Sequence, residues 1–110
     1  MTKRVVPEEG RELLGSPYAG VVGDEVTYTV DVGSSAVVDG NCWMHAWKGT
    51  TNKSTDVLSE AMSANGNVVT LKKISSELAA EYRYTFKALV NGQYIVFYFR
   101  RIVERESGQK

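Results

Sequence analysis

The chain has 110 residues, 43% of them apolar, and its 13 basic and 13 acidic side chains leave no net charge. That length suits one domain able to bury about 60–70% of the surface its unfolded form exposes, and the balanced charge removes any global field that would draw nucleic acid, anionic lipid or acidic substrates. One cysteine, Cys42, excludes an internal disulfide; with no secretory leader and no run of 18 apolar residues to read, a soluble, non-secreted protein made in a cytoplasm is expected.

In chain order, residues 1–22 carry Pro7, Gly10, Gly15, Pro17 and Gly20, a density of breakers that leaves room for one helical turn at most between Glu8 and Leu14. This stretch reads as an amino-terminal arm ahead of a domain over 23–106 and a flexible tail over 107–110. From Asp24 the pattern changes to period two. In "DEVTYTVDV" Val26, Tyr28, Val30 and Val32 share one side, with Thr27, Thr29 and Asp31 on the other, as in a half-buried strand. "NCWMHAWK" sets Trp43, His45 and Trp47 against Cys42, Met44 and Ala46, with both faces at least partly covered.

"GTTNKST" is a loop by composition, and "DVLSEAMSANGN" suits either a short strand or a helical turn. "NVVTLKKI" is strand-like, and "SSELAA" is too brief for a stable helix, so it reads as a corner between strands. The last element is the clearest. In "RYTFKALVNGQYIVFYFRRI" two aromatic-rich runs flank Asn91-Gly92, a pair that tolerates the positive φ of a type I′ turn. Such a turn sets the register: Val90 opposes Gln93, Ala88 opposes Ile95, Phe86 opposes Phe97 and Tyr84 opposes Phe99, all on the core face.

The opposite face of this hairpin gathers Arg83, Thr85, Lys87, Leu89, Tyr94, Val96, Tyr98 and Arg100. An apolar patch rimmed by charge marks a protein contact, so Leu89, Tyr94, Val96, Tyr98 and Arg100 are the candidate interface residues. The sequence leaves open whether the chain's own arm or an edge strand covers them instead.

Six or seven short strands with no convincing helix predict an all-β fold, an antiparallel immunoglobulin-like or fibronectin type III-like β-sandwich of about seven strands. Trp43 or Trp47 would be its core tryptophan, and Tyr82, entering the penultimate strand after the "SELAA" corner, would bond back to the corner backbone. Chemistry is sparse by contrast. Cys42 and His45, three apart on a strand, point to opposite faces and cannot easily form a dyad. One cysteine and one histidine fall short of a zinc set, so no metal and no cofactor are expected. No Walker-type loop or nucleophile elbow is present. Arg100, Arg101 and Arg105, interrupted by Glu104 and Glu106, read as a solvated strand end, and a nucleic-acid platform built on Tyr94, Tyr98 and Arg100 would lack a basic field.

The order of these features, a Pro- and Gly-punctuated arm, "GDEVTYTVDV", a tryptophan-bearing strand, "GNVVTLKKI", "AAEYRYTFKALVNGQ" and a strand running to "FRRIVERE", resembles the small immunoglobulin-like β-sandwich accessory proteins of tailed bacteriophages. The resemblance covers roughly Gly23 to Glu106, in pattern more than identity. It implies a non-enzymatic virion component of a capsid, head-tail junction or tail, acting through contacts with other protein subunits in a homo-oligomeric assembly and binding neither nucleic acid nor membrane. The alternative is an immunoglobulin-like or fibronectin type III-like module for glycan or peptide ligands, which would show exposed aromatics beside Asp, Asn and Glu on loops.

Overall fold

A computed structural model describes residues 2–4, 12–13 and 16–105. The tail expected over 107–110, and most of the expected arm, lie outside the described residues. The chain is an all-β protein of open sheets, with one single-turn helix among the described residues. In chain order the elements are β1 (Thr2–Arg4), β2 (Tyr18–Val21), β3 (Thr29–Asp31), β4 (Ala36–Val37), β5 (Trp43–Lys48), β6 (Thr51–Asn52), α1 (Ser54–Val57), β7 (Leu58–Ser59), β8 (Ser63–Asn65), β9 (Val68–Thr70), β10 (Lys73–Ile74), β11 (Ala80–Val90) and β12 (Gln93–Glu104).

The largest sheet runs β2-β12-β11-β5-β6, with β4 paired to the turn end of β11. A second sheet runs β1-β3-β9-β8, and β10 pairs with β7 as a separate ribbon. The inner residues of the two main sheets share one core: Val30 and Val69 from one, and Met44, Tyr84, Phe86, Ala88, Phe97 and Phe99 from the other. That arrangement is compatible with an all-β sandwich.

The hairpin is built in the register its turn dictates. Asn91 has φ 49° and Gly92 φ 81°, and Val90, Ala88, Phe86 and Tyr84 face Gln93, Ile95, Phe97 and Phe99. The corner also forms as expected, with the Leu78 N–H donating to the Tyr82 hydroxyl at 2.9 Å. "DEVTYTVDV" keeps its alternation, burying Tyr28, Val30 and Val32, while "NVVTLKKI" divides into β9 and β10 in different sheets around a buried Leu71.

Three expectations change. The core tryptophan is absent from β5: Met44 and Ala46 point inward opposite Phe86 and Tyr84, so Trp43, His45 and Trp47 all stand on the other face. The arm region supplies structure to the domain, since β2 pairs in parallel with β12 through Tyr18↔Arg101 to Val21↔Glu104, and β1 pairs in parallel with β3. Four paired residues suffice there because a parallel edge needs no turn and tolerates Pro17 just before it. Arg101 lies in the core, 1% exposed. It occupies the inward position two residues beyond Phe99, opposite Tyr82.

Burying that guanidinium demands partners. Its Nε and Nη2 donate to both carboxylate oxygens of buried Glu77 at 2.9–3.2 Å, and Nη1 donates to the Tyr28 hydroxyl at 2.6 Å. Asp24 receives Nη2 as well, at 3.3 Å, and the Tyr84 hydroxyl donates to Glu77. No buried side-chain nitrogen or oxygen among the described residues is left without a partner. Burial, reinforced by the hydrogen bond to the Glu77 carboxylate, pushes the Tyr84 hydroxyl far above its ordinary value. Gly20 completes the cluster by having no side chain: a Cβ there would sit 2.2 Å from Arg101 Nη2.

Candidate functional site

The residues with no structural duty of this kind lie on the outer face of the large sheet. Pairing of β5 with β11 and of β11 with β12 aligns three rows: Trp43, His45 and Trp47; Lys87, Thr85 and Arg83; and Val96, Tyr98 and Arg100. Leu89 and Tyr94 extend the rows towards the turn, where Leu89 also pairs with Val37. The five residues expected to form an interface, Leu89, Tyr94, Val96, Tyr98 and Arg100, therefore share one face. The inner-face neighbours of these strands are almost all buried, whereas these side chains are half-buried or exposed, Tyr94 to 43%.

The aromatic rings of this face are held against one another and against cations. Trp43 and His45 stack with centroids 4.6 Å apart and planes inclined by 12°. His45 meets Trp47 edge to face at 6.5 Å. Because Trp43 and His45 are two apart on one strand, stacked rings there must stand across the strand, presenting edges outward. The Arg83 guanidinium lies 4.4 Å from the Tyr98 ring centroid, and Lys87 Nζ lies 5.0 Å from that of Tyr94, both within the range of cation–π attraction.

The rim is hydrogen-bonded. The Tyr94 hydroxyl donates to Asp39 at 2.6 Å and accepts from Asn41 Nδ2 at 3.1 Å. The Tyr94 hydroxyl and the Asn41 backbone N–H together hold the Asp39 carboxyl below its ordinary range. At the other end Arg100 pairs with Glu12 at 3.3 Å and Glu81 at 3.5 Å. Glu12 also accepts from the Tyr98 hydroxyl, and Leu13 donates its N–H to the Tyr98 carbonyl. The chain's own Glu12–Leu13 thus flanks this face along the β12 edge and leaves Tyr94 open.

Cys42 and His45 do not meet: the thiol interacts with Asp39 and the Val37 carbonyl, while His45 sits between the tryptophans. Among the described residues no group of three His, Cys, Asp or Glu side chains is placed to hold a metal ion. No described helix is long and apolar enough to cross a membrane. The indole and imidazole row is the part of the face that sequence reading missed. The available signal was the adaptable Met44 and the small Ala46 between three large rings, since the bulky inner-face residues Phe86 and Tyr84 on β11 leave room for such partners. The chain matches no protein-family model, and no curated protein is significantly similar to it.

Proposed function

We propose that this is a non-enzymatic structural protein, an immunoglobulin-like accessory component of a virion that works by docking the outer face of its large sheet onto a neighbouring copy. The carrying observation is that face: the Trp43–His45–Trp47 row and the Val96–Tyr98–Arg100 row stand half-exposed on either side of a central Arg83–Thr85–Lys87 row, so aromatic rings and cations alternate across three strands. Edge-on rings, hydroxyls and arginines of this kind make good anchors at protein interfaces. The virion setting rests on the pattern resemblance alone, and the contact surface rests on geometry.

The finer fold assignment has its own support. The neighbour orders β3-β9-β8 and β5-β11-β12 are those expected of strands B-E-D and C-F-G in an immunoglobulin-like sandwich, and the bond from the Leu78 N–H to the Tyr82 hydroxyl is of the kind a tyrosine corner would make. Glycan binding is the weaker reading. Sugars stack on ring faces turned to solvent, whereas Trp43 and His45 cover one another, and Arg83 and Lys87 occupy ring faces of Tyr98 and Tyr94. Asp39 and Asn41 do stand beside an exposed aromatic, but both are committed to the Tyr94 hydroxyl.

The test is Tyr98→Ala, followed by sedimentation at rising protein concentration and by thermal unfolding. The expected outcome is a loss of self-association with a small change in unfolding temperature. A wild-type chain that stays monomeric throughout, or a variant that unfolds early yet associates normally, overturns the reading.

A further inference from the structure

His45 is the chain's single histidine, and it stands at the centre of the β5 row of the outer face. Imidazole is the one side chain whose charge ordinarily changes between about pH 5 and 8. The face thus carries a group able to switch charge near neutrality. Trp43 stacks on the ring at 4.6 Å and Trp47 meets it edge to face at 6.5 Å, yet the residue is only half-buried, so protons reach it in the free chain.

The surroundings decide what a proton does there. Across the ladder His45 faces Thr85, with Lys87 on the Trp43 side and Arg83 on the Trp47 side. Both cations lean towards β12, Lys87 over Tyr94 and Arg83 over Tyr98. Strand β12 adds Tyr98 and Arg100, Lys48 follows Trp47 on β5, and β6 brings only Thr51 and Asn52. Lys53, whose N–H donates to the Ala46 carbonyl, pairs its ammonium with Asp56 of α1. The carboxylates of the face are engaged at its ends, Asp39 with the Tyr94 hydroxyl and Glu12 and Glu81 with Arg100. Among the described residues none pairs with His45.

A proton on His45 therefore adds a further cation to a face that already holds Arg83, Lys87 and Arg100. In the free chain water solvates that charge and the Trp43 ring attracts it. Once a neighbouring copy covers the row, water is displaced, and a charge without a carboxylate is costly to keep. The docked state prefers the neutral ring.

We propose that His45 makes docking of the outer face pH-dependent: copies associate with the imidazole neutral, and its protonation separates them. This rests on the docking reading above and adds its regulation. A contact that expels a proton loosens as pH falls, by up to about tenfold per pH unit once the free imidazole is charged. Glu12 and Asp39, held below their ordinary values, keep their charge throughout this range.

Sedimentation of the wild-type chain and of His45→Gln at about pH 7.5 and about pH 5.5 tests the switch across the imidazole range. The wild-type dissociation constant is expected to rise about tenfold or more on acidification, and that of His45→Gln to stay level. Unfolding temperatures at both pH values show that each chain is folded. Should the variant fail to fold, the wild type decides alone: linkage is reciprocal, so the pH midpoint of the His45 Cε1–H resonance should fall as protein concentration rises. A midpoint that stays or rises, association that is level or tighter at acid pH, or the same loosening in His45→Gln overturns the proposal and leaves the docking face standing. A wild-type chain that is monomeric at both pH values removes the docking reading, and this inference with it.

Discussion

Arg100 and Arg101 are adjacent in the chain and stand on opposite faces of one strand. Arg100 sits on the outer face, its side chain 37% exposed, with two carboxylates at 3.3 and 3.5 Å. Arg101 sits inside, 1% exposed, with Glu77, Tyr28 and Asp24 around it. The same chemical group is thus a replaceable rim charge on one face and a structural node on the other. What differs is desolvation: a surface pair competes with water and contributes about 0–1 kcal/mol, whereas a buried pair is tolerated only while its geometry is complete.

The sharpest way to break this contrast is to remove one partner on each face. Glu77→Ala leaves the Arg101 charge uncompensated inside the core and is expected to cost about 3–5 kcal/mol in denaturant unfolding. Arg100→Ala should change the same measurement far less, because its ion pairs compete with water. Equal losses would mean that Arg101 gains water on a timescale the folded chain tolerates, and the distinction between the faces would collapse.

A smaller effect tests how tightly the node is enclosed. Gly20→Ala places a methyl group where Arg101 Nη2 lies, and since that guanidinium is tethered by three residues it cannot swing aside. About 1–3 kcal/mol of stability should be lost. A neutral outcome would show the β2 end of the cluster to be loose.

The smallest effect belongs to the outer face. Burial raises the Glu12 carboxyl, but hydrogen bonds from Ser16, Arg100 and Tyr98 and the Arg100 charge outweigh it, leaving Glu12 below its ordinary 4.5. A folded value below the unfolded one means that the contact stabilises fully above 4.5 and is lost as pH falls through the folded value. The Arg100 Nε–H resonance should therefore move on acidification below pH 4.5, ahead of global unfolding.

Much of the inner face was legible from one dipeptide, because Asn91-Gly92 sets register and register carries every later pair as far as Ala80↔Val103. Arg101 was legible on the same count, one step past Phe99. Reading it as a solvated strand end gave charge precedence over alternation, the wrong order of evidence within a paired strand. The interface row Leu89, Tyr94, Val96, Tyr98 and Arg100 followed from the same parity. The tryptophans did not, because no tight turn joins β5 to β11, and their mutual register comes from tertiary packing alone.

The parallel pairing of β2 with β12 has a consequence for how the molecule comes to exist. Glu12 and Arg100 are 88 residues apart in the chain, and β12 lies between β11 and β2 in the large sheet. Long-range closures of this kind bear their loop entropy before any contact compensates it, and they slow folding. On the ribosome, β3, β8 and β9 can assemble early, but β2 has nothing to pair with and β11 lacks its main partner until β12 emerges. The nascent chain therefore waits with an open, aromatic-rich strand, and arrival of one hairpin arm completes the core, the Arg101 node and the edge together.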